Sequence, residues 1–505
     1  MRVTNQMLTD NMMNNINKNK QYLSTTGDQY ATGQKIQRPS EDPVVAVRSL
    51  KYRAQLTQLN QYYEKNIPDA KQWMNVTESA LTQMNSIITQ MNTYFNQGAN
   101  DPLTVANRDS IAETLDEYMQ QIYQYANTDY AGRYVFTGYR TDEPLLFPAD
   151  SKEYSYDITE NLTKENVDGF KYVRADLEYD PTLKAEDYAK KAPTILQGYR
   201  MNLSYKNLED LSGLSYTKNG TETTLVEDQD FKVIDSSEAD AYDIDAYNKA
   251  NNSSYKALVL KDTGEVILTA DTYKTLKEVD SIQAKYTKNE FDAGDPKPEH
   301  YFDCTRVTLD SAGNAIAGTE GNYTKPGAQH IQYEVNFSQK LTVNTMANEF
   351  LSSGLKRHVD DVIDQLNKVS NIEDQIQSME KKLTDGTVSG DQEKAVIELK
   401  KQLENQLSME NKVLQEKYAH GLTVTQNAEN AVNEADADLG SRYKRLELTE
   451  DRLSNQQVDF EEMLLNNDSV ELEDSIINYT SAKTQYNASL SAAAKAVSNS
   501  LLDFL

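Results

Sequence analysis

The residue types best suited to catalysis or metal binding are four histidines and one cysteine: His300, His330, His358, His420 and Cys304. The histidines occur in no HExxH or HxxEH motif, so they lack the spacing of a zinc-binding helix. A lone cysteine can form neither an intrachain disulfide nor a thiolate zinc site. We expect Cys304 to be a buried thiol, because no base or orienting partner lies near it in the sequence.

Other catalytic motifs are also missing from the sequence. No GxxxxGK[ST] phosphate loop and no GxSxG elbow occurs. The chain has 79 Asp and Glu residues, so acidic pairs arise by chance. A catalytic pair needs a pocket that perturbs its pKa, which a sequence does not reveal. We therefore expect a protein that is not an enzyme and has no catalytic, cofactor or metal site.

Composition narrows the classes of partner. The chain has 505 residues and a formal net charge of −28, which favours roughly two to four domains. Such an acidic chain repels DNA and anionic membranes, so we expect no nucleic-acid partner. No apolar run reaches the roughly 18 residues of a membrane-spanning helix, and we expect no membrane insertion.

The first 20 residues lack the apolar region and cleavage site of a secretory signal peptide. A cytosolic location and export without a signal peptide both stay open.

The two ends of the chain differ in charge. Residues 1–53 carry eight basic and four acidic residues, whereas residues 456–505 carry two basic and eight acidic ones. Opposite charges at the two ends favour their pairing. On charge alone, an accidental asymmetry is an equal alternative.

The N-terminal region is predicted to be helical. Apolar residues follow helical spacing in two groups: Trp73, Val76, Ala80, Ile87, Met91 and Tyr94, then Leu115, Met119, Ile122 and Ala126. The stretch NQGANDP (96–102) ends the first helix with Gly and Pro. We expect these apolar faces to pack against other helices rather than to line a cofactor site.

Residues from about 150 to 345 are predicted to form strands and turns. Asn219-Gly220 is a strong hairpin signal between β-branched residues, and Thr263-Gly264 marks a second hairpin. The stretch HIQYEVNFSQKLTVN (330–344) alternates as a strand does. Short strands without intervening helical patterns argue against a parallel sheet.

Helical periodicity returns at about 346 and continues to the C-terminus. The stretch TDGTVSGD (384–391) separates two charged, heptad-like segments. An apolar stripe then follows helical spacing to the end of the sequence, and we predict it to be an axial assembly surface. Its members are Leu472, Ile476, Tyr479, Tyr486, Leu490, Ala493, Val497, Leu501, Phe504 and Leu505.

An isolated helix with such a stripe has nothing to bury it against. The sequence therefore predicts an α+β multi-domain protein, in which long helices from both termini form an elongated hairpin and a β-rich insert lies in the middle. The domains expected are an N-terminal axial helix or export arm (1–42), the N-terminal half of a helical rod (43–147), the insert (148–345), the C-terminal half of the rod (346–455) and a C-terminal axial helix (456–505).

The stretch RPSEDP (38–43) interrupts the N-terminal helices. Pro39 disfavours a helical Arg38. Asp42 is suited to cap a helix that begins at Pro43, where the missing N–H costs nothing. A plain surface turn predicts the same geometry, but we favour a hinge between an assembly-dependent arm and the rod.

Three stretches together resemble the flagellin superfamily. They are ATGQKIQRPSEDPVVAVRSL near the N-terminus, YANTDYAGRYVFTGYRTDEPLLF at 125–147, and LGSRYKRLELTEDRL with the terminal SLLDFL. The resemblance covers about residues 1–147 and 425–505, is weak over 330–350 and is absent from most of the middle. RPSEDPVVA fits the hook-associated protein 3 branch of that family better than filament flagellin.

The resemblance implies a structural protein of the hook–filament junction of the bacterial flagellum. Such proteins are extracellular and are exported unfolded by the flagellar type III system, without a cleaved signal peptide. The partners implied are hook-associated protein 1, flagellin and a flagellar export chaperone. The resemblance also implies a homo-oligomeric ring on assembly, with a monomer in solution whose terminal helices pair only on assembly.

The sequence departs from the family pattern in two places. The segment at about 355–420 is longer and more coiled than the family leads one to expect. In flagellins, the first long helix has arginines in the region that immune receptors recognise. The corresponding stretch QMNSIITQMNTYFNQGAN has no arginine, so the resemblance does not imply that immune receptors recognise this protein. The alternatives are a filament flagellin, which would have an RINSAxDD-like stretch and an Arg-terminated tail, and a surface adhesin or enzyme displayed on flagellin-like arms.

Overall fold

Long helices occupy both ends of the chain and strands occupy the middle, which confirms the predicted α+β architecture with a β-rich insert. The computed structural model describes residues 5–100, 105–325, 327 and 329–502. The helices are α1 (Asn5–Thr32), α2 (Pro43–Gln61), α3 (Ile67–Ala99), α4 (Val105–Ala126), α5 (Ala185–Lys190), α6 (Ile244–Asn251), α7 (Ala270–Leu276), α8 (Ala347–Phe350), α9 (Gly354–Thr384), α10 (Asp391–Asp468) and α11 (Leu472–Leu502).

Fifteen strands are found among the described residues, most of them in the predicted insert. They are β1 (Asp129–Tyr130), β2 (Arg133–Tyr134), β3 (Tyr154–Leu162), β4 (Val167–Arg174), β5 (Thr194–Asn202), β6 (Asp210–Lys218), β7 (Thr221–Leu225), β8 (Phe231–Ile234), β9 (Ala257–Leu260), β10 (Glu265–Leu268), β11 (Ser281–Lys288), β12 (Asp303–Thr308), β13 (Gly321–Tyr323), β14 (Gln332–Asn336) and β15 (Gln339–Thr342).

The N-terminal helices follow the predicted periodicity. α3 ends at Ala99, inside the stretch NQGANDP. All four members of the second predicted face, from Leu115 to Ala126, are buried along α4. A π-helical turn, Tyr62–Asn66, joins α2 to α3. The predicted apolar face begins at Trp73, after this turn, so the sequence analysis did not predict it.

The insert contains two main sheets. One has five strands in the order β4-β5-β10-β9-β8, and the other has six in the order β13-β12-β3-β11-β6-β7. The pairs are antiparallel, as predicted, except for β8 and β9, which are parallel. Helix α6 lies between these two strands in the chain and supplies the crossover that a parallel pair requires. This short helix was not predicted.

Turn residues and apolar packing hold the sheets together. Asn219 and Gly220 both have positive φ in the tight turn between β6 and β7, which confirms the predicted hairpin. The second predicted hairpin, at Thr263-Gly264, connects β9 and β10. A core of buried side chains from both sheets includes stacked Phe147 and Phe291, with ring centroids 4.7 Å apart.

The long segment at 355–420 forms a helical hairpin that has its own core. α9 and α10 are separated at 384–391, as predicted. Ile372, Ile376, Leu399 and Leu403 pack together with Tyr188, which comes from the segment between β4 and β5. The extra length of this hairpin therefore holds part of the insert.

The chain forms two compact units. We call residues 1–71, 333–341 and 443–505 the terminal unit, and residues 72–332 and 342–442 the central unit. The domain boundaries expected from the sequence stay predictions. The one at 455 falls inside the continuous helix α10.

Candidate assembly surface on the terminal helices

The stretch RPSEDP lies directly before α2 in the terminal unit. Asp42 has extended backbone angles, and its Oδ1 accepts hydrogen bonds from the N–H groups of Val44 and Val45 at 2.9 and 3.2 Å. Pro43 is the first helical residue, and Pro39 lies in the preceding turn. The structure thus places a helix cap at Asp42. The hinge role of this stretch stays a prediction.

The loop before the cap is fastened to the end of α10. The Lys35 N–H donates to the Asp468 carbonyl at 2.7 Å, and the Val470 N–H donates to the Gly33 carbonyl at 2.9 Å. Gly33 ends α1 with φ of 70°, a conformation that favours glycine. Chain segments more than 400 residues apart are therefore joined by backbone hydrogen bonds.

Asp468 also fastens α2 to the same point. Its Oδ2 accepts from Ser49 Oγ at 2.8 Å and from the Arg53 guanidinium at 2.9 Å. Burial alone would raise the pKa of Asp468, but hydrogen bonds from Arg53, Ser49 and Asn467 outweigh it and lower the pKa. The carboxylate is therefore charged at neutral pH.

α1 packs antiparallel against α11 within the terminal unit of the single chain, as the predicted hairpin of terminal helices requires. That the two helices pair only on assembly stays a prediction. Tyr30 stacks on Tyr479 with ring centroids 5.7 Å apart and an angle of 10° between the rings. Most of the buried and half-buried residues of the two helices recur at steps of three and four. They are Met12, Ile16, Asn19, Leu23, Thr26, Gly27 and Gln29 on α1, and Ser475, Tyr479, Ala482, Tyr486, Ser489 and Ala493 on α11.

This α1–α11 interface buries little apolar surface. Among the described side chains of the two helices, only Thr26, Ser475 and Ala482 are fully buried. Small side chains let the helices approach closely, but they contribute little hydrophobic stabilisation. Hydrophobic burial of whole side chains therefore contributes little to the stability of this pair.

The predicted axial stripe divides between the interface and the surface. Tyr479 and Tyr486 are half-buried against α1, whereas Leu472, Ile476 and Leu490 remain 63%, 43% and 42% exposed. The side chains of Val497 and Leu501, and the whole of Phe504 and Leu505, lie outside the described residues. The role of the stripe in assembly stays a prediction.

Further apolar side chains of the terminal unit are exposed at positions that the sequence analysis did not predict. They include Met7, Leu8 and Met13 on α1, Val44, Val47 and Leu50 on α2, Leu448, Val458, Met463 and Leu465 on α10, and Ile477 on α11. Large exposed apolar areas on a soluble protein mark sites of interaction. These residues are exposed because neighbouring helices cover the opposite side of each helix, which the spacing of apolar residues in the sequence does not show.

The main cluster of titratable groups lies in the central unit. Arg200 on β5 pairs with Glu265 on β10, and its Nη2 lies 2.7 Å from Asp361 Oδ2 on α9. Burial alone would raise the pKa of Asp361, but Arg200 and Lys417 hold it well below its usual range. These opposite charges join a sheet to the α9–α10 hairpin.

Two of the four histidines lie close together, and the cysteine is buried. His358 lies 3.5 Å from His420, ring nitrogen to ring nitrogen, and burial lowers the pKa of His358 to about 4. Cys304 is buried, as predicted, and burial raises its pKa to about 12. Within the part of the chain that the structure describes, no group of three or more His, Cys, Asp or Glu residues could hold a metal ion.

None of the described helices has the length and apolar character of a membrane-spanning segment.

Both ends of the chain match models of one protein family. The model of the bacterial flagellin N-terminal helical region matches residues 3–141, and that of the bacterial flagellin C-terminal helical region matches residues 422–505. The two matches fall on the helices that supply the α1–α11 interface.

Individual relatives are similar over shorter lengths. Flagellar hook-associated protein 3 of Salmonella typhimurium is 29% identical over 169 residues, which cover 33% of this chain and 52% of that protein. Flagellar hook-associated protein 3 of Escherichia coli is 29% identical over 143 residues, covering 28% and 45%. The chain thus spans about half the length of the curated relatives it matches. A solved structure of Xanthomonas campestris FlgL covers 82% of this chain and 99% of its own, with 10% identity and a TM-score of 0.32.

Proposed function

We propose, because this chain belongs to the flagellin superfamily, that it is a structural subunit of the bacterial flagellum at the junction between the hook and the filament. Its position would be between hook-associated protein 1 and flagellin. The observation that carries this proposal is the terminal unit, whose paired helices match the flagellin regions yet leave apolar side chains exposed. A subunit that completes its core by assembly has this property.

The route to that position follows from the same family. An export chaperone would bind the subunit in the cell. The subunit would then leave through the flagellar type III system, without a cleaved signal peptide. It would then join copies of itself in a ring, having been a monomer in solution. The weak burial between α1 and α11 supports this order of events, because helices that bury few large side chains are marginal in isolation.

Within the subunit, we place the boundary between the assembly-dependent arm and the rod at Asp42. The cap at Asp42 starts α2 independently of α1, which supports a boundary there. Limited proteolysis of purified monomer should cut within residues 1–40 and 460–505 first. Protection of both ends in dilute monomer would argue against this boundary.

Deletion of the gene tests the proposed function. The deletion strain should retain hooks but shed flagellin monomers into the medium, because the filament would have nothing to start from. Long intact filaments in that strain would contradict a junction role. Immunogold labelling of wild-type flagella distinguishes a junction protein from a filament flagellin. Gold at one point next to the hook indicates a junction protein, whereas gold along the whole filament indicates a flagellin.

A further inference from the structure

One side of α2 presents a basic stripe to solvent. We define it as Val44, Val47, Arg48 and Lys51, which lie on one side of the helix because they are three, four and seven residues from Val44. Val44 is 59% and Val47 52% exposed, and both cations are exposed too. Within the described part of the chain, neither Arg48 nor Lys51 forms an ion pair.

The last turns of α10 present a matching acidic stripe. It consists of Val458, Glu461, Glu462 and Leu465, at steps that again place four side chains on one side of a helix. Val458 and Leu465 are each 62% exposed, and both carboxylates are exposed. Within the described residues these two carboxylates have no ion-pair partner either.

The opposite sides of these helices are already used within the subunit. On α2, Ala46 is buried, the Val45 carbonyl accepts from Asn467 Nδ2 at 3.0 Å, and Ser49 bonds to Asp468. On α10, Leu453 is fully buried. Because α2 lies against the end of α10 by its inner side, its outer stripe cannot reach the outer stripe of α10 in the same subunit.

We propose that the basic stripe of one copy of this chain binds the acidic stripe of the next copy. Each stripe combines two apolar side chains with two charges, and the charges are opposite in sign. Such complementarity steers association and excludes wrong partners. Because the two surfaces differ, the contact is head-to-tail, and its repetition produces a ring or a helix of subunits rather than a closed dimer. This inference rests on the proposed function, since it requires copies to assemble.

Site-directed crosslinking tests the contact in flagella isolated from cells. Because Cys304 is buried, added cysteines are the reactive ones. The double variants Val47→Cys/Val458→Cys and Val44→Cys/Leu465→Cys cover both relative directions of the helices. We expect one of them to give a ladder of dimers and larger species with a bismaleimide, while each single variant gives none. Dimers from a single variant would overturn the head-to-tail arrangement, and no ladder from either double variant would overturn the contact.

Charge reversal provides the second test, read out as the number of flagella per cell. Arg48→Glu/Lys51→Glu and Glu461→Lys/Glu462→Lys should each lower that number several-fold, and combining all four substitutions should restore it. Lys249→Glu/Lys412→Glu, at exposed sites, is the matched control because it changes the net charge as Arg48→Glu/Lys51→Glu does. Two results would each overturn the proposal: reversals that are as harmless as the control, or harmful reversals whose combination does not restore the number of flagella.

The outcome is separable from the proposed function. If labelling places the protein at the junction but no ladder forms, the stripes are wrong and the function stands. If labelling runs along the filament, the function is wrong, and the ladder still decides whether the stripes join the copies.

Discussion

Helix α9 and the α1–α11 pair are built from similar lengths of helix but bury different side chains. Along α9, Val359, Val362, Leu366 and Val369 are all buried, at steps of three and four residues. The α1–α11 pair fully buries only Thr26, Ser475 and Ala482 among its described side chains. A buried Leu or Val stabilises a fold by about 1.5–3 kcal/mol, whereas small polar residues add little.

The difference separates two sources of stability. The central unit contains an aliphatic core together with a buried charge cluster, and we infer that its stability does not depend on other subunits. The terminal unit fastens its loops by hydrogen bonds around Asp468, but leaves apolar side chains at its surface. We infer that the terminal helices gain their remaining stability from other subunits.

Removing the buried arginine of the central unit should have the largest effect. Arg200→Ala leaves Glu265 and Asp361 as uncompensated buried charges, and we expect a loss of about 3–5 kcal/mol in the free energy of unfolding. Urea denaturation followed by the fluorescence of Trp73 measures it, because Trp73 is the single tryptophan and is fully buried. Lys171→Ala, which breaks an exposed pair with Glu416, is the control and should cost under about 1 kcal/mol. If Arg200→Ala and Lys171→Ala lowered the free energy of unfolding equally, the buried cluster would contribute no more to stability than an exposed ion pair.

A pair of leucine substitutions compares the two regions directly. Leu366→Ala creates a cavity in the core and should lower the free energy of unfolding by about 2–5 kcal/mol. Leu23→Ala, at a half-buried position on α1, should leave the Trp73 transition unchanged. Urea denaturation at the same protein concentration tests both. A shift of similar size in both variants would contradict separate sources of stability.

Acid should weaken the central unit through His358, one of its buried histidines. Burial lowers the pKa of His358 to about 4, below its unfolded value of about 6.5. The stability that depends on neutral His358 is therefore complete above pH 6.5 and is lost as the pH falls from 6.5 to 4, by up to about 1.4 kcal/mol per pH unit. His358→Gln should make the Trp73 transition less dependent on pH across that window. His330→Gln, at an exposed site, should leave the dependence as it is, and an unchanged slope in His358→Gln would disprove the assignment.

Loss of the α2 cap should have the smallest effect. Asp42→Ala removes the acceptor for two N–H groups and should destabilise the first turn of α2 by about 1 kcal/mol. Faster hydrogen exchange at the amides of Val44 and Val45 would measure it. Ser40→Ala, at an exposed neighbouring position, is the control, and identical exchange in the two variants would rule out a capping role.

The sequence predicted the features that depend on local chemistry. The turn at Asn219-Gly220, the helix end near Ala99 and the break at 384–391 all follow from Gly, Pro and Asn preferences, and the structure has each of them. It did not predict the π-helical turn at Tyr62–Asn66 or the parallel pair of β8 and β9. These depend on packing between segments distant in sequence.

The candidate surface was predicted in part. Hydrophobic spacing selected Leu472, Ile476 and Leu490, which are exposed, together with the half-buried Tyr479 and Tyr486. It did not select Ser475, which is fully buried against α1, because close packing of helices favours small side chains that no apolar pattern marks. The outer stripes of α2 and α10 were missed because exposure depends on which side of a helix its neighbours cover.

Hydrogen exchange of the terminal helices, measured in dilute monomer and again in assembled flagella, tests the central claim most directly. The account predicts that amides of α1 and α11 exchange much faster than those of α9 in the monomer, and that they become protected on assembly. Protection of α1 and α11 equal to that of α9 in dilute monomer would contradict it.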